Sequence, residues 1–134
     1  MLDTNILIYL LEDIEPYAGK VESLLESFMR RENNGLISTI NIAEVLTGFY
    51  LAGEDEKAAE AKSLLKDLTI NGFEIAPVTF EIADLAARLR AKKGGKLPDA
   101  IIVATAIDHR ADVIYSQDED LARFSEEVKI SKIR

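Results

Sequence analysis

Leu97-Pro98-Asp99-Ala100-Ile101-Ile102-Val103-Ala104-Thr105-Ala106-Ile107-Asp108, followed by Val113-Ile114-Tyr115 and then Ser116-Gln117-Asp118, is the stretch from which the fold can be read. Ala100 to Ile107 is so uniformly apolar that, as a helix, it must be nearly buried. Val113 to Tyr115 is a short apolar run without helical period, which reads as a buried strand. A helix leading into such a strand is the repeating unit of an α/β sheet.

The alternation extends outward from this stretch. Val21, Leu24, Leu25 and Phe28 follow the i, i+3, i+4, i+7 spacing of an amphipathic helix, as do Ala61, Leu64, Leu65 and Leu68. Ile82, Leu85, Ala86 and Leu89 mark another, and Ile6 to Leu11 is a further helical run. Between them, Leu36 to Ser38, Phe73 to Ala76 and Val128 to Ile130 read as short strands. The pattern predicts an α/β, three-layer domain: a short parallel sheet of four or five strands flanked by helices. No linker, repeat or low-complexity tract divides residues 1–134, so they read as a single domain.

Apolar residues make up 48% of the chain, enough for a core without disulfides, and there is no cysteine. Thiolate metal sites are thereby excluded, and a reducing compartment is the natural setting. The apolar runs are too short to span a bilayer, and no basic stretch followed by an apolar one opens the chain. A soluble, cytoplasmic protein with no membrane association is expected. The net charge of -8 has the wrong sign for a protein that binds nucleic acid through its overall field. It suits a nuclease whose carboxylates hold divalent cations, or a protein with a basic partner.

In open parallel sheets, ligands bind beyond the carboxyl ends of the strands. Asp3 follows the brief opening Met1-Leu2, Asp118 follows Val113 to Tyr115, and Asp99 follows Pro98 where the buried helix opens. Each has an ordinary reading as a cap: Asp3 or Thr4 for the first helix, Asp99 for the buried one, Asp118 for the turn to Leu121. Together at one end of one sheet they repel, raise one another's pKa and cost stability unless a cation lies between them. That arrangement points to metal binding. Glu44 lies opposite the core stripe Ile42, Val45, Leu46 and Phe49, the position of a plain solvent glutamate. Gly48 and Leu51 share its face, which suggests partial cover by a cleft or a second subunit.

Four motifs occur in order: Asp3-Thr4-Asn5, Asn41-Ile42-Ala43-Glu44-Val45-Leu46, Leu97-Pro98-Asp99-Ala100 and Ser116-Gln117-Asp118-Glu119-Asp120. In that order the whole chain resembles the PIN-domain family, and within it the VapC-type toxin ribonucleases of toxin–antitoxin pairs. The resemblance implies an acidic pocket for Mg²⁺ or Mn²⁺, endonucleolytic cleavage of RNA, a homodimer, and a small antitoxin protein that silences it. It assigns Asp3, Glu44, Asp99 and Asp118 as catalytic acids, with Asp3, Asp99 and Asp118 as metal ligands. Asn5, Ser116 and Asp120 match supporting positions. Three features depart from the family pattern. Few residues precede Asp3, so the first strand is expected to be clipped or the start to lie upstream. Ser116 stands where Thr is common, and Leu121 where an aromatic is usual. The last departure makes Asp118 and Asp120 rivals for the metal, with Asp118 preferred.

Hard dications take oxygen ligands, and four acids suit one or two Mg²⁺ or Mn²⁺ ions. With no cysteine and His109 alone, zinc is not expected; His109 reads as a structural residue near a helix C-terminus. Arg88, Arg90, Lys92, Lys93 and Lys96 precede Asp99. As a helix end they are ordinary; as a strip leading to an acidic pocket they can align an RNA backbone. Competing readings are a non-catalytic PIN-like RNA- or protein-binding module and a DNA-directed nuclease of related design. A phosphatase with Asp3 as nucleophile is a further one, weakened by Asn5 where its partner acid would stand.

Overall fold

The computed structural model describes residues 1–133. In chain order the elements are α1 (Thr4–Leu11), α2 (Tyr17–Met29), β1 (Leu36–Ser38), α3 (Thr39–Leu51), α4 (Asp55–Ile70) and β2 (Glu74–Ala76). They continue with α5 (Phe80–Lys93), α6 (Leu97–Asp108), β3 (Val113–Tyr115), a 3-10 helix (Glu119–Phe124) and β4 (Lys129–Ser131).

β1 pairs with β2, and β3 with β4, both in parallel. The opening residues lie between these ladders and join them. Leu2 N–H donates to Leu36 O at 3.0 Å, Tyr115 N–H to Met1 O at 2.9 Å, and Asp3 N–H to Tyr115 O at 3.0 Å. Met1-Leu2 thus supplies a single parallel bridge, Leu2 to Tyr115, rather than a named strand. The order across the molecule is β2, β1, the opening bridge, β3, β4.

Two apolar clusters cover the two faces, and the pleat sorts the residues between them. Met1, Leu36, Ala76 and Ile114 point into one cluster, with Ile82, Ala86 and Leu89 of α5 and the buried face of α6. Leu2, Ile37, Ile75 and Tyr115 point into the other, with residues of α1 to α4. This is the expected three-layer α/β arrangement, because strands buried on both faces have no polar side. Within it α6 is buried almost all round: Ala100 and Ile102 to Ala106 are inaccessible or nearly so. The 3-10 helix is pinned by Leu121 and Phe124, both fully buried; each contributes about 1.5–3 kcal/mol relative to exposure.

Local chemistry sets the element ends. Ser38 and Asn41 form a capping box that starts α3 directly from the end of β1. Thr79 caps α5, whose last turn holds Arg90, Lys92 and Lys93 before Gly94 at φ 76°. α6 starts at Leu97, earlier than the apolar run suggests, because Pro98 is well suited to a first turn. A cavity of about 480 Å³, lined in part by Met1, Gly35, Glu74, His109 and Asp112, opens at the amino ends of β1 and β3. It lies at the opposite end of the strands from Asp3 and Asp118.

Candidate active site

Asp3 sits where the opening bridge turns into α1. Its Oδ1 accepts the Thr4 N–H at 2.8 Å, so it does cap the helix. Its Oδ2 accepts the Ser116 hydroxyl at 2.6 Å and the Asn5 amide at 3.4 Å. Asp118, just past β3, caps the 3-10 helix by accepting the Asp120 N–H at 2.9 Å. Its own N–H donates to Ser116 Oγ at 3.0 Å. The Ser116 hydroxyl therefore ties the two acids together across neighbouring strand ends. Asn5 also donates to Ser116 Oγ at 3.4 Å and accepts the Gln117 N–H at 3.2 Å.

Asp99 behaves differently, and the cap reading fails for it. The cap of α6 is Lys96, which makes no side-chain cap bond, and Asp99 lies inside the first turn. Its relative exposure is only 9%. Burial pushes its carboxyl up to about 6, and the charges of Asp118, Asp3 and Glu44 push the same way against Lys96. Asp3 is also raised, chiefly by burial and further by Asp118, while its bonds from Ser116 and Thr4 oppose the shift. Asp99, Asp118 and Asp120 each offer a carboxylate oxygen, and these oxygens lie within 4.8 Å of one another. Asp120 is exposed but belongs to this trio, while the charge of Asp118 also bears on Asp3 and Glu44.

Glu44 projects from α3 on the side away from Val45 and Phe49, as its spacing predicts. Yet it reaches the acids: Thr4 Oγ1 donates to Glu44 Oε1 at 2.8 Å. Burial raises its pKa first; the Thr4 bond opposes, Asp3 and Asp118 add to the rise, and Lys96 opposes it. The cover expected from Gly48 and Leu51 is absent among the described residues: Gly48 has open space around it and Leu51 is 85% exposed. Thr4 in turn accepts from Asn41 Nδ2 at 3.1 Å, and Asn41 Oδ1 accepts the Ser38 N–H at 2.9 Å. Thr4 and Asn41 stand inside two of the motifs but are not singled out by composition or charge. Their signal is spacing: Asn41 precedes Glu44 by one helical turn.

The basic residues divide. Arg88 pairs with Asp84 at 3.1 Å and Lys93 with Glu126 at 3.2 Å, both as surface pairs. Arg90 and Lys92 are exposed in the last turn of α5 and make no ion pair among the described residues. Lys96 alone of the five bears on the acids, through Asp99 and Glu44. His109 caps the C-terminus of α6 and lies 3.3 Å from Glu74, far along the helix from Asp99.

A model of the PIN domain family matches residues 1–127. The chain belongs to the PIN domain family. Solved structures agree in fold. A toxin–antitoxin complex from Klebsiella pneumoniae contains a chain 28% identical, with TM-score 0.69, over 99% of this chain and 96% of that one. VapBC2 from Rickettsia felis bound to a DNA fragment from its promoter is 22% identical, with TM-score 0.68, over 98% and 96%. FitAB bound to the IR36 DNA fragment is 22% identical, with TM-score 0.71, over 98% and 92%. No curated protein sequence matches the chain. Membership in the PIN family supports a nuclease. The donor set fits the divalent cation that such chemistry uses: oxygen ligands only, converging from α6 and the segment after β3, with one nearly buried acid whose charge is opposed by its neighbours. No helix among the described residues of this PIN domain is long and apolar enough to cross a membrane.

Proposed function

We propose that this PIN domain is a Mg²⁺- or Mn²⁺-dependent endoribonuclease and the toxin of a toxin–antitoxin pair. One observation supports it above the rest: carboxylates remote in sequence, Asp3, Glu44, Asp99, Asp118 and Asp120, gather at the carboxyl ends of the strands. Among the described residues only Lys96 opposes their charge, so the cluster is under electrostatic tension that a dication relieves.

Asp3, Asp99 and Asp118 would hold the metal, with Asp120 as a fourth candidate. When bound, the ion supplies positive charge to the phosphodiester and acidity to water. Ser116 and Asn5 fix the orientation of Asp3 by hydrogen bonds to its Oδ2. Glu44 orients the attacking water. The water oxygen forms the new bond to phosphorus as the bond to the departing ribose oxygen breaks. Lys96 offers a cation to the RNA backbone beside this centre, and Arg90 and Lys92 offer further ones at the end of α5.

An antitoxin partner is proposed from the solved complexes of similar fold, and a homodimer from the exposed apolar end of α3. Tyr50 and Leu51 there are 49% and 85% exposed. A cytoplasmic setting follows if the substrate is cellular RNA.

The test is cleavage of total cellular RNA by the purified protein and its Asp99→Asn variant, with Mg²⁺, with Mn²⁺ and with chelator, and with single- and double-stranded DNA alongside. Discrete RNA fragments from the wild type alone, abolished by chelator, are expected. Cleavage of DNA in preference to RNA would move the assignment to a DNA-directed nuclease. Inactivity on both, with metal bound, would support a binding module.

A further inference from the structure

Four polar groups join β1, α1 and α3 in a chain whose direction is fixed. Asn41 is fully buried and its side-chain oxygen is committed, because it accepts the Ser38 N–H at 2.9 Å in the capping box. The amide orientation is thereby set: Nδ2 must point the other way, and it donates to Thr4 Oγ1 at 3.1 Å. A hydroxyl has one proton. With Asn41 donating into its lone pair, Thr4 turns that proton outward, where Glu44 Oε1 accepts it at 2.8 Å. The donor at each step is dictated by the step before, back to a backbone N–H in the core.

We propose that Asn41 and Thr4 are positioning residues that hold Glu44 over the acidic site through this one-way relay. Glu44 needs such an anchor. It stands on the solvent side of α3, where a glutamate ordinarily samples several rotamers. Its neighbours Asp3 and Asp118 carry like charge and repel it. The Thr4 hydroxyl engages one carboxylate oxygen, Oε1, and among the described residues no group donates to Oε2, which is left for the substrate side. Thr4 is suited to the task twice over. It follows Asp3 directly, so its N–H fixes the Oδ1 of Asp3 while its hydroxyl fixes Glu44. One residue therefore sets the spacing between two of the acids. Asn41 acts at one remove, by presenting the Thr4 hydroxyl with a donor instead of a competing acceptor.

This inference rests on the nuclease reading for its catalytic consequence and on the hydrogen bonds alone for its structural one, and two measurements separate them. The first is steady-state cleavage of a labelled RNA bearing a site mapped with the wild type, with Mn²⁺ affinity of each variant measured by electron paramagnetic resonance. Thr4→Val removes the hydroxyl and keeps the shape; Thr4→Ser keeps the hydroxyl. For Thr4→Val, kcat should fall about tenfold, the effect of losing one hydrogen bond to a charged group. KM and Mn²⁺ affinity should stay within about twofold, and Thr4→Ser should restore kcat. Asn41→Asp keeps the acceptor for Ser38 and removes the donor, and should reproduce the Thr4→Val loss; the Thr4 pair decides if that buried charge unfolds the protein.

The second measurement is a denaturation cycle of Thr4→Val, Glu44→Ala and the double variant without metal or RNA. The two substitutions should be non-additive in urea midpoint, since each removes the same bond. An unchanged kcat in Thr4→Val, an equal loss in Thr4→Ser, or a loss that tracks Mn²⁺ affinity would overturn the proposal. If the wild type cleaves no RNA, the ribonuclease reading fails, and the cycle still decides the relay: additive midpoints would overturn it, and non-additive ones would uphold the anchor.

Discussion

Asp99 is under marked electrostatic strain. Its pKa rises from 3.8 to about 6 on folding, so between those values the folded protein binds a proton that the unfolded chain has lost. Folding stability therefore falls as pH rises through that window, and the loss is complete above it. Asp99→Asn removes the charge and keeps the volume. In chelator at pH 7.5 the variant should be more stable than the wild type by about 1–2 kcal/mol. That is below the roughly 3 kcal/mol that two pKa units represent, because the neighbouring acids remain partly solvated. The gap should close below pH 4. Urea denaturation at both pH values checks this, and a variant less stable than the wild type at pH 7.5 would contradict it. At this scale the sequence was informative about residue identity and uninformative about contact. A proline-flanked Asp before an apolar helix is visible in a string; that Asp99 caps nothing is not, because capping depends on one residue's offset in the helix start. The contact between Thr4 and Asn41 was illegible for a related reason: a hydrogen bond spanning 37 residues leaves no periodicity.

Among the elements, the strands show how little sequence a sheet needs when both faces are covered. β1 to β4 are three residues each, and every one lies within a residue of an apolar run that lacks helical period. The helices followed from their stripes in the same way. The opening bridge was legible only as Met1-Leu2 before an acid; its central place between two ladders is a tertiary fact. Close packing at β1 supplies a sharp prediction. A Cβ at Gly35 would meet the Phe73 ring at 2.1 Å, and Phe73 already packs edge-on against Phe28 with ring centroids 5.4 Å apart. Gly35→Ala should destabilise the protein by about 1–3 kcal/mol through overpacking. The adjacent Gly72→Ala faces no such clash but must hold φ 90°, so its cost is backbone strain of about 1 kcal/mol. Chemical denaturation separates the two variants, and an unchanged midpoint for Gly35→Ala would contradict the packing described.

The whole molecule carries a net charge of -8, and five of its 24 acids gather at the candidate site. That field disfavours RNA until the cluster is neutralised, and it favours a basic protein partner. An antitoxin segment that silences the site should therefore bring Arg or Lys to the acids. Its affinity should weaken as salt rises from 0.05 to 0.5 M (about a tenfold change or more is expected for several exposed charge pairs) and weaken again with Asp99→Ala. Calorimetric titration of the cognate pair measures both, and an affinity indifferent to both changes would place the antitoxin elsewhere on the surface.

The central claim is that these acids form a divalent-cation site, and calorimetric titration of Mn²⁺ into the chelator-treated protein tests it most directly. Saturable binding is predicted, weakened at least tenfold, about 1.4 kcal/mol, in Asp99→Asn and in Asp118→Asn. At pH 6 binding should release protons, seen as an enthalpy that depends on the buffer, because the ion displaces the proton shared with Asp99. No saturable heat, or an affinity that neither substitution changes, would contradict the account.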